Sequence, residues 1–210
     1  MWTSISIISL LILFVLWNVT LIGYKDRDLT PLKQDEASVF TAKAKSILLT
    51  QDAPKAILLI HGFPSTPAFY SYSAQRFHDA GWDVHAPLIP TFGSDPKEFE
   101  KTNFSQWFAY ICRYYEKMRD TYKTVHVLGT SMGGLMTLKL GETYCSSSKA
   151  PDKLVTVAAP VVYNSIRDGI ITDARSCMMR SVALFKPSIG VRTVDGNPNS
   201  DDGNEQWVGY

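Results

Sequence analysis

The sequence predicts an α/β fold with a doubly wound, mostly parallel sheet, preceded by one transmembrane helix. Three observations carry this. Short runs rich in β-branched residues alternate with longer runs of helical period, the pattern of successive β-α units. The turn Gly129-Thr130-Ser131-Met132-Gly133 joins one such strand directly to one such helix. Met1 to Tyr24 contains no charged side chain. With 210 residues and 45% hydrophobic content, the chain suits one globular domain behind that apolar segment.

Residues 1–24 read as a membrane anchor. Ile5 to Leu16 is almost continuously apolar, and a helix over the whole stretch would reach about 36 Å, enough to cross a bilayer. No Lys or Arg precedes the run and no small-residue cleavage pattern follows it, so an uncleaved, single-pass membrane location is expected rather than a signal peptide. Lys25, Arg27 and Lys33 lean toward a cytoplasmic domain by the positive-inside tendency, with the side left open.

Residues 25–45 are polar and mixed, a linker with little fixed structure. Ser46 to Thr50 and Lys55 to Ile60 read as strands around the Asp52-Ala53-Pro54 turn. Ala68 to Ala80 reads as a helix with Phe69, Ser73 and Phe77 on one face, closed by Gly81. Trp82 to Pro87 is the next strand. A helix over Phe104 to Thr121 starts at an Asn103 cap with Gln106 three positions on. Its stripe of Trp107, Phe108, Ile111, Tyr114, Tyr115 and Met118 fits packing on a sheet. Thr124 to Leu128 is a buried parallel strand, Met132 to Thr143 a helix, and Lys153 to Ala159 the last strand. Residues 46–163 thus form the core domain, and residues 164–210 a cap segment and polar tail. Asn164 to Phe185 is helical by pattern, with an apolar face suited either to covering an acyl chain or to packing on the core. Val191 to Val194 is too short and polar for a core strand, and Asp195, Asp201 and Asp202 sit in a loose stretch.

A net charge of +1 gives no reason to expect a nucleic-acid partner. Cys112, Cys145 and Cys177 have neither metal-ligand spacing nor a paired framework, and no metal or cofactor is expected.

The chemistry concentrates at Ser131. G-x-S-x-G between a strand and a helix reads as a nucleophile elbow, a turn so tight that small residues must flank the serine; Gly129, Gly133 and Gly134 supply them. The hydroxyl then stands at a helix N-terminus, where free N–H groups stabilise negative charge. All four histidines, His61, His78, His85 and His126, precede Ser131.

Together with the elbow, Leu58-Leu59-Ile60-His61-Gly62-Phe63, Ala86-Pro87-Leu88 and Leu154-Val155-Thr156-Val157-Ala158-Ala159-Pro160 resemble the α/β-hydrolase superfamily, most closely bacterial carboxylesterases and monoacylglycerol lipases, over residues 46 to 185. The resemblance implies a Ser131 nucleophile and an oxyanion hole built from the backbone N–H groups of Phe63 and Met132. It also implies that His61 and Gly62 are structural residues of the oxyanion loop, His61 anchoring that loop by hydrogen bonds. Where many relatives carry Gly-His-Gly after the fourth strand, this chain has Thr91-Phe92-Gly93. The family's acid and histidine follow its seventh and eighth strands, which are not read here, so the fold is expected to lack its last strands. The resemblance implies a serine hydrolase acting on a small acyl ester or lipid through a Ser131 acyl-enzyme, incomplete over these residues. The alternatives are a membrane-tethered, non-catalytic module and a peptidase or acyltransferase of the same fold.

Overall fold

The computed structural model describes residues 2–19, 28–161, 191–193 and 207–209. Helix α1, Trp2–Val19, belongs to one compact unit; residues 28–161 and the two short C-terminal strands belong to another. Among the described residues no helix is long and apolar enough to cross a membrane. Helix α1 has 18 residues where the charge-free run suggested 24, a length of about 27 Å against a hydrocarbon core of about 30 Å. Among its described side chains, the apolar Ile7, Leu10 and Leu13 are nonetheless each more than half exposed.

In the second unit a five-stranded sheet runs in the order β1 (Ile47–Leu49), β3 (Asp83–Ala86), β2 (Lys55–Ile60), β4 (Thr124–Thr130), β5 (Lys153–Val157). Only β1 is antiparallel to its neighbour; β3, β2, β4 and β5 pair in parallel, as expected of β-α units. Alternation along β2 sends Leu58 and Ile60 to one face, with Trp107, Ile111 and Tyr115 of α4 (Phe104–Thr121) and Met136 and Leu140 of α5 (Met132–Tyr144). Ile57 and Leu59 go to the other face, with Tyr70 and with Ala74 of α2 (Ser71–Asp79). A central strand covered on both faces has to be apolar throughout, and Ala56 to Ile60 is buried without a break.

Helix α4 carries the anticipated capping box: Gln106 N–H donates to Asn103 Oδ1 at 3.0 Å and Asn103 N–H to Gln106 Oε1 at 3.1 Å. Gly81, at φ +81°, closes α2 in the left-handed conformation that glycine adopts most easily. Helix α2 differs from expectation at its start, where a 3-10 turn over Pro67–Tyr70 precedes it. A short helix, α3 (Pro96–Phe99), has no counterpart in the sequence reading, being too short to show a period.

Residues 28–45 are not a loose linker. Asn103 Nδ2 donates to Asp28 O at 2.7 Å, Gln106 Nε2 to Thr30 O at 3.0 Å and Arg113 to Leu32 O at 3.2 Å, tying the segment to α4. Phe40 N–H donates to Gly93 O at 2.9 Å. Such long-range tethers leave no periodic trace in the sequence.

Among the described residues β5 is a sheet edge, with Val155 39% and Val157 47% exposed. Val191–Thr193 does form a strand, β6, paired antiparallel with β7, Trp207–Gly209, in a separate two-stranded ribbon. The expected helix over 164–185 and the acidic positions 195, 201 and 202 lie outside the described residues.

Candidate active site

Strand β4 ends at Thr130 and helix α5 begins at Met132, so one residue, Ser131, makes the whole turn. It does so at φ 55°, ψ −120°, a conformation that costs a residue with a Cβ on the order of 1–3 kcal/mol. The surroundings hold it there. Ser131 N–H donates to Val157 O at 2.8 Å, and Ser131 O accepts from Leu135 N–H at 3.1 Å as the helix begins. A Cβ on Gly129 would overlap the Gly133 carbonyl, and one on Gly133 would overlap the Ile60 carbonyl. These glycines are required by close approach of backbone to backbone.

The loop leaving β2 lies directly against the elbow. A Cβ on Gly62 would stand 2.8 Å from Thr130 O, 3.0 Å from Ser131 Cβ and 3.6 Å from Ser131 Oγ. Phe63 therefore follows the glycine packed against the elbow, and it is 41% exposed. Met132, the first residue of α5, has no intrahelical partner for its N–H, as at any helix start.

His61 is fully buried. Ile89 N–H donates to its Nε2 at 3.1 Å, so Nδ1 carries the proton and donates to Gly62 O at 3.0 Å. Burial pushes its pKa down to about 4, with the Gly62 bond opposing. A neutral imidazole with both nitrogens engaged ties the β2 loop to the chain after β3 and has no free nitrogen with which to take a proton from Ser131. The other histidines are engaged elsewhere. His85 bridges Tyr114 Oη at 3.0 Å and Tyr122 Oη at 2.9 Å; His126 packs on Trp82 at 4.5 Å; His78 lies near Gln51.

Two features of the site have no motif in the sequence. Tyr70, 3% exposed, donates its hydroxyl to Ile60 O at 2.9 Å and meets Thr130 Oγ1 at 2.9 Å. It thus joins the last residues of β2 and β4, one step before His61 and Ser131; burial raises its pKa to about 12. The second is an aromatic cluster in which Phe63 stacks on Phe99 at 5.6 Å and Phe99 on Trp107 at 5.1 Å. Only proximity in the fold assembles either group.

A strained serine between strand and helix, with a glycine loop pressed against it, is the elbow of the α/β-hydrolase fold. The chain belongs to the Hydrolase_4 family, described as serine aminopeptidase, S33, whose model matches residues 51–206. It is 34% identical over 92 residues to a thermostable monoacylglycerol lipase of Bacillus sp. (strain H-257), covering 44% of this chain and 37% of that protein. It is 30% identical over 127 residues to a carboxylesterase of Bacillus subtilis (strain 168), covering 58% of this chain and 49% of that protein. The chain therefore spans half or less of the length of these relatives. In fold it resembles a metagenome-derived lipolytic enzyme (TM-score 0.53, 21% identity, covering 63% of this chain and 54% of that one). It likewise resembles the monoacylglycerol lipase of Paleococcus ferrophilus (TM-score 0.51, 16% identity, covering 69% and 52%).

Proposed function

We propose that the chain is the nucleophile-bearing part of a serine hydrolase of carboxylic esters. Ser131 Oγ attacks the acyl carbon, the carbonyl oxygen becomes an oxyanion held by the N–H groups of Phe63 and Met132, the alcohol leaves, and water hydrolyses the acyl-enzyme. The observation that carries this reading is Ser131 at φ 55° with Gly62 packed against it. A binding module has no use for a strained serine of this kind. The family description names a peptidase, but these two relatives are ester hydrolases, and the alcohol of an ester leaves more easily than the amine of an amide on the same machinery.

The base in this proposal is a histidine outside residues 1–210, because the four histidines of this chain all precede Ser131 and are engaged as described. Assays with short-chain nitrophenyl esters test it. The 210-residue chain should turn over little, and a longer form carrying the histidine should lose on the order of 10⁴–10⁶ in rate on Ser131→Ala. Turnover indifferent to Ser131→Ala would overturn the assignment of the nucleophile. Brisk Ser131-dependent turnover by residues 1–210 would overturn that of the base.

We also propose that α1 seats the protein in a membrane. Its exposed Ile, Leu and Phe side chains favour lipid over water. The full chain should stay with membranes through a carbonate wash, and a form starting at Asp26 should not; a soluble full chain would contradict this.

A further inference from the structure

The chain leaving β3 turns back on itself over Ile89-Pro90-Thr91-Phe92, where Phe92 N–H donates to Ile89 O at 3.1 Å. Thr91 sits in this turn at φ 73°. Proline second and a positive φ third is the type II pattern, in which glycine is the usual third residue. A β-branched side chain is the least comfortable choice there. The Thr91 hydroxyl has a use that glycine lacks. Thr102 Oγ1 donates its proton to Phe99 O at 2.7 Å and accepts from Trp107 Nε1–H at 3.0 Å. Across the 3.1 Å between Thr102 Oγ1 and Thr91 Oγ1 it is therefore Thr91 that donates. Ser94 Oγ adds a bond to Thr91 O at 3.0 Å. One side of the turn is thus pinned to the connection between α3 and α4.

The other side is pinned to the loop that follows β2. Ile89 N–H donates to His61 Nε2 at 3.1 Å. The ring of Phe92, 4% exposed, meets that of His61 at 5.1 Å and that of Phe63 at 6.2 Å, both edge to face. A Cβ on Gly93 would lie 3.3 Å from Thr66 Cγ2. His61, Phe63 and Thr66 belong to one loop, and Gly62 within it is packed against Ser131.

We infer that Thr91 is a positioning residue for the Ser131 site: its hydroxyl holds a strained turn from which Ile89 and Phe92 fix the loop carrying His61 and Phe63. The inference rests on the proposed oxyanion role of Phe63 and adds the residue that keeps the Phe63 backbone in place. Glycine would make the turn without strain but would leave it free to shift away from Thr102. Strain of this kind persists only where the surroundings over-determine it, and here they do so from both sides.

The full chain in phospholipid micelles tests this as wild type, Thr91→Gly, Thr91→Val and Thr91→Ser. Urea unfolding reads stability. NMR of nitrogen-labelled protein reads the Phe63 amide and the His61 Nδ1–H, with the Phe77 amide on α2 as control. Thr91→Gly should keep the wild-type urea midpoint, because relieved strain offsets the lost hydrogen bond and the freedom gained by the unfolded chain. It should nonetheless lose the single sharp signals of Phe63 and His61 to exchange on the microsecond-to-millisecond scale. Thr91→Val keeps the strain and lacks the donor, so it should unfold at lower urea and broaden the same two signals. Thr91→Ser keeps the hydroxyl and should keep both signals sharp. Phe77 should not change in any variant. Phe63 and His61 as sharp in Thr91→Gly as in wild type would mean a merely structural threonine and overturn the inference. Broadening shared by Thr91→Ser, or extending to Phe77, overturns it as well. The two readings separate: broadening as described, alongside ester hydrolysis indifferent to Ser131→Ala, would overturn the nucleophile and leave the positioning standing. Sharp signals alongside Ser131-dependent hydrolysis would do the reverse.

Discussion

Gly62 is packed against Ser131: a Cβ added to Gly62 would lie 3.0 Å from Ser131 Cβ and 2.8 Å from the carbonyl of Thr130. Two loops that approach from neighbouring strands are locked together at the point where, on the proposed mechanism, attack and oxyanion binding occur. Gly62→Ala should therefore push the Phe63 backbone away from the serine by a few tenths of an ångström. In a complete enzyme the expected loss is about tenfold to a hundredfold in kcat, with stability reduced by about 1–3 kcal/mol. Steady-state kinetics together with urea unfolding would show it; unchanged kcat would mean that the loop has slack that the packing does not suggest.

The strain at Ser131 has a consequence for stability apart from chemistry. Ser131→Gly removes the Cβ that makes φ 55° costly, and should stabilise the fold by about 1 kcal/mol after the added freedom of glycine in the unfolded chain is subtracted. Ser131→Ala keeps the Cβ and should give no such gain. Urea titrations of the two variants beside wild type read the difference directly. Equal midpoints for glycine and alanine would show that the elbow is relaxed.

The sheet and the elbow were legible in the sequence because their signals are local. Lys55 to Ile60 is a run of one composition, and Gly129 to Gly133 is a turn whose residue types follow from its own tightness. Val191 to Val194 reads as no core strand, and Val191–Thr193 indeed stays out of the core sheet; its pairing with Trp207–Gly209 gives little sequence signal because a short polar strand shows itself only through its partner. Tyr70 and Phe99 were missed for a related reason. Tyr70 matters through Ile60 and Thr130, ten and sixty positions away, and Phe99 through a ring contact to Phe63 across two loops.

His61 makes stability depend on pH in a definite direction. Burial holds its folded pKa at about 4 against 6.5 for a free imidazole. Between those values the unfolded chain binds a proton that the native protein refuses, so stability falls as pH drops from 6.5 toward 4 and is unaffected by this group above that window. The slope attributable to His61 is at most about 1.4 kcal/mol per pH unit. Denaturation at several pH values should lose that component in His61→Gln, and NMR should find the ring neutral with its proton on Nδ1 down to about pH 5. A ring that titrates near pH 6.5 in the folded protein would contradict the buried, doubly bonded geometry.

Tyr70→Phe removes one hydroxyl and leaves the Ile60 carbonyl and the Thr130 hydroxyl to find other partners in a buried place. The expected cost is about 1–2 kcal/mol. Because Tyr70 and Thr130 share the contact, Thr130→Val should cost less on the Tyr70→Phe background than on wild type. Simple additivity of the two changes would show that the 2.9 Å approach contributes nothing to the join between β2 and β4.

The exposed strand β5 predicts association. Its neighbour β4 pairs with one side, and among the described residues no strand pairs with the other. Val155 and Val157 leave 39% and 47% of their surface open, and Lys153, at the start of the strand, carries its one charge. Open edges of this apolar kind are the ones proteins normally cover or charge, because their free N–H and C=O groups pair readily with a strand of another molecule. Residues 26–210 should therefore sediment as more than a monomer at micromolar concentration and unfold without a sharp transition. Val155→Lys with Val157→Lys should shift the population toward monomer by placing like charges where two such edges would meet, without touching the core on β2. A monomer with a cooperative transition above roughly 60 °C, high for a mesophile domain, would mean that β5 is covered, and the charged pair would then destabilise the protein instead of dispersing it.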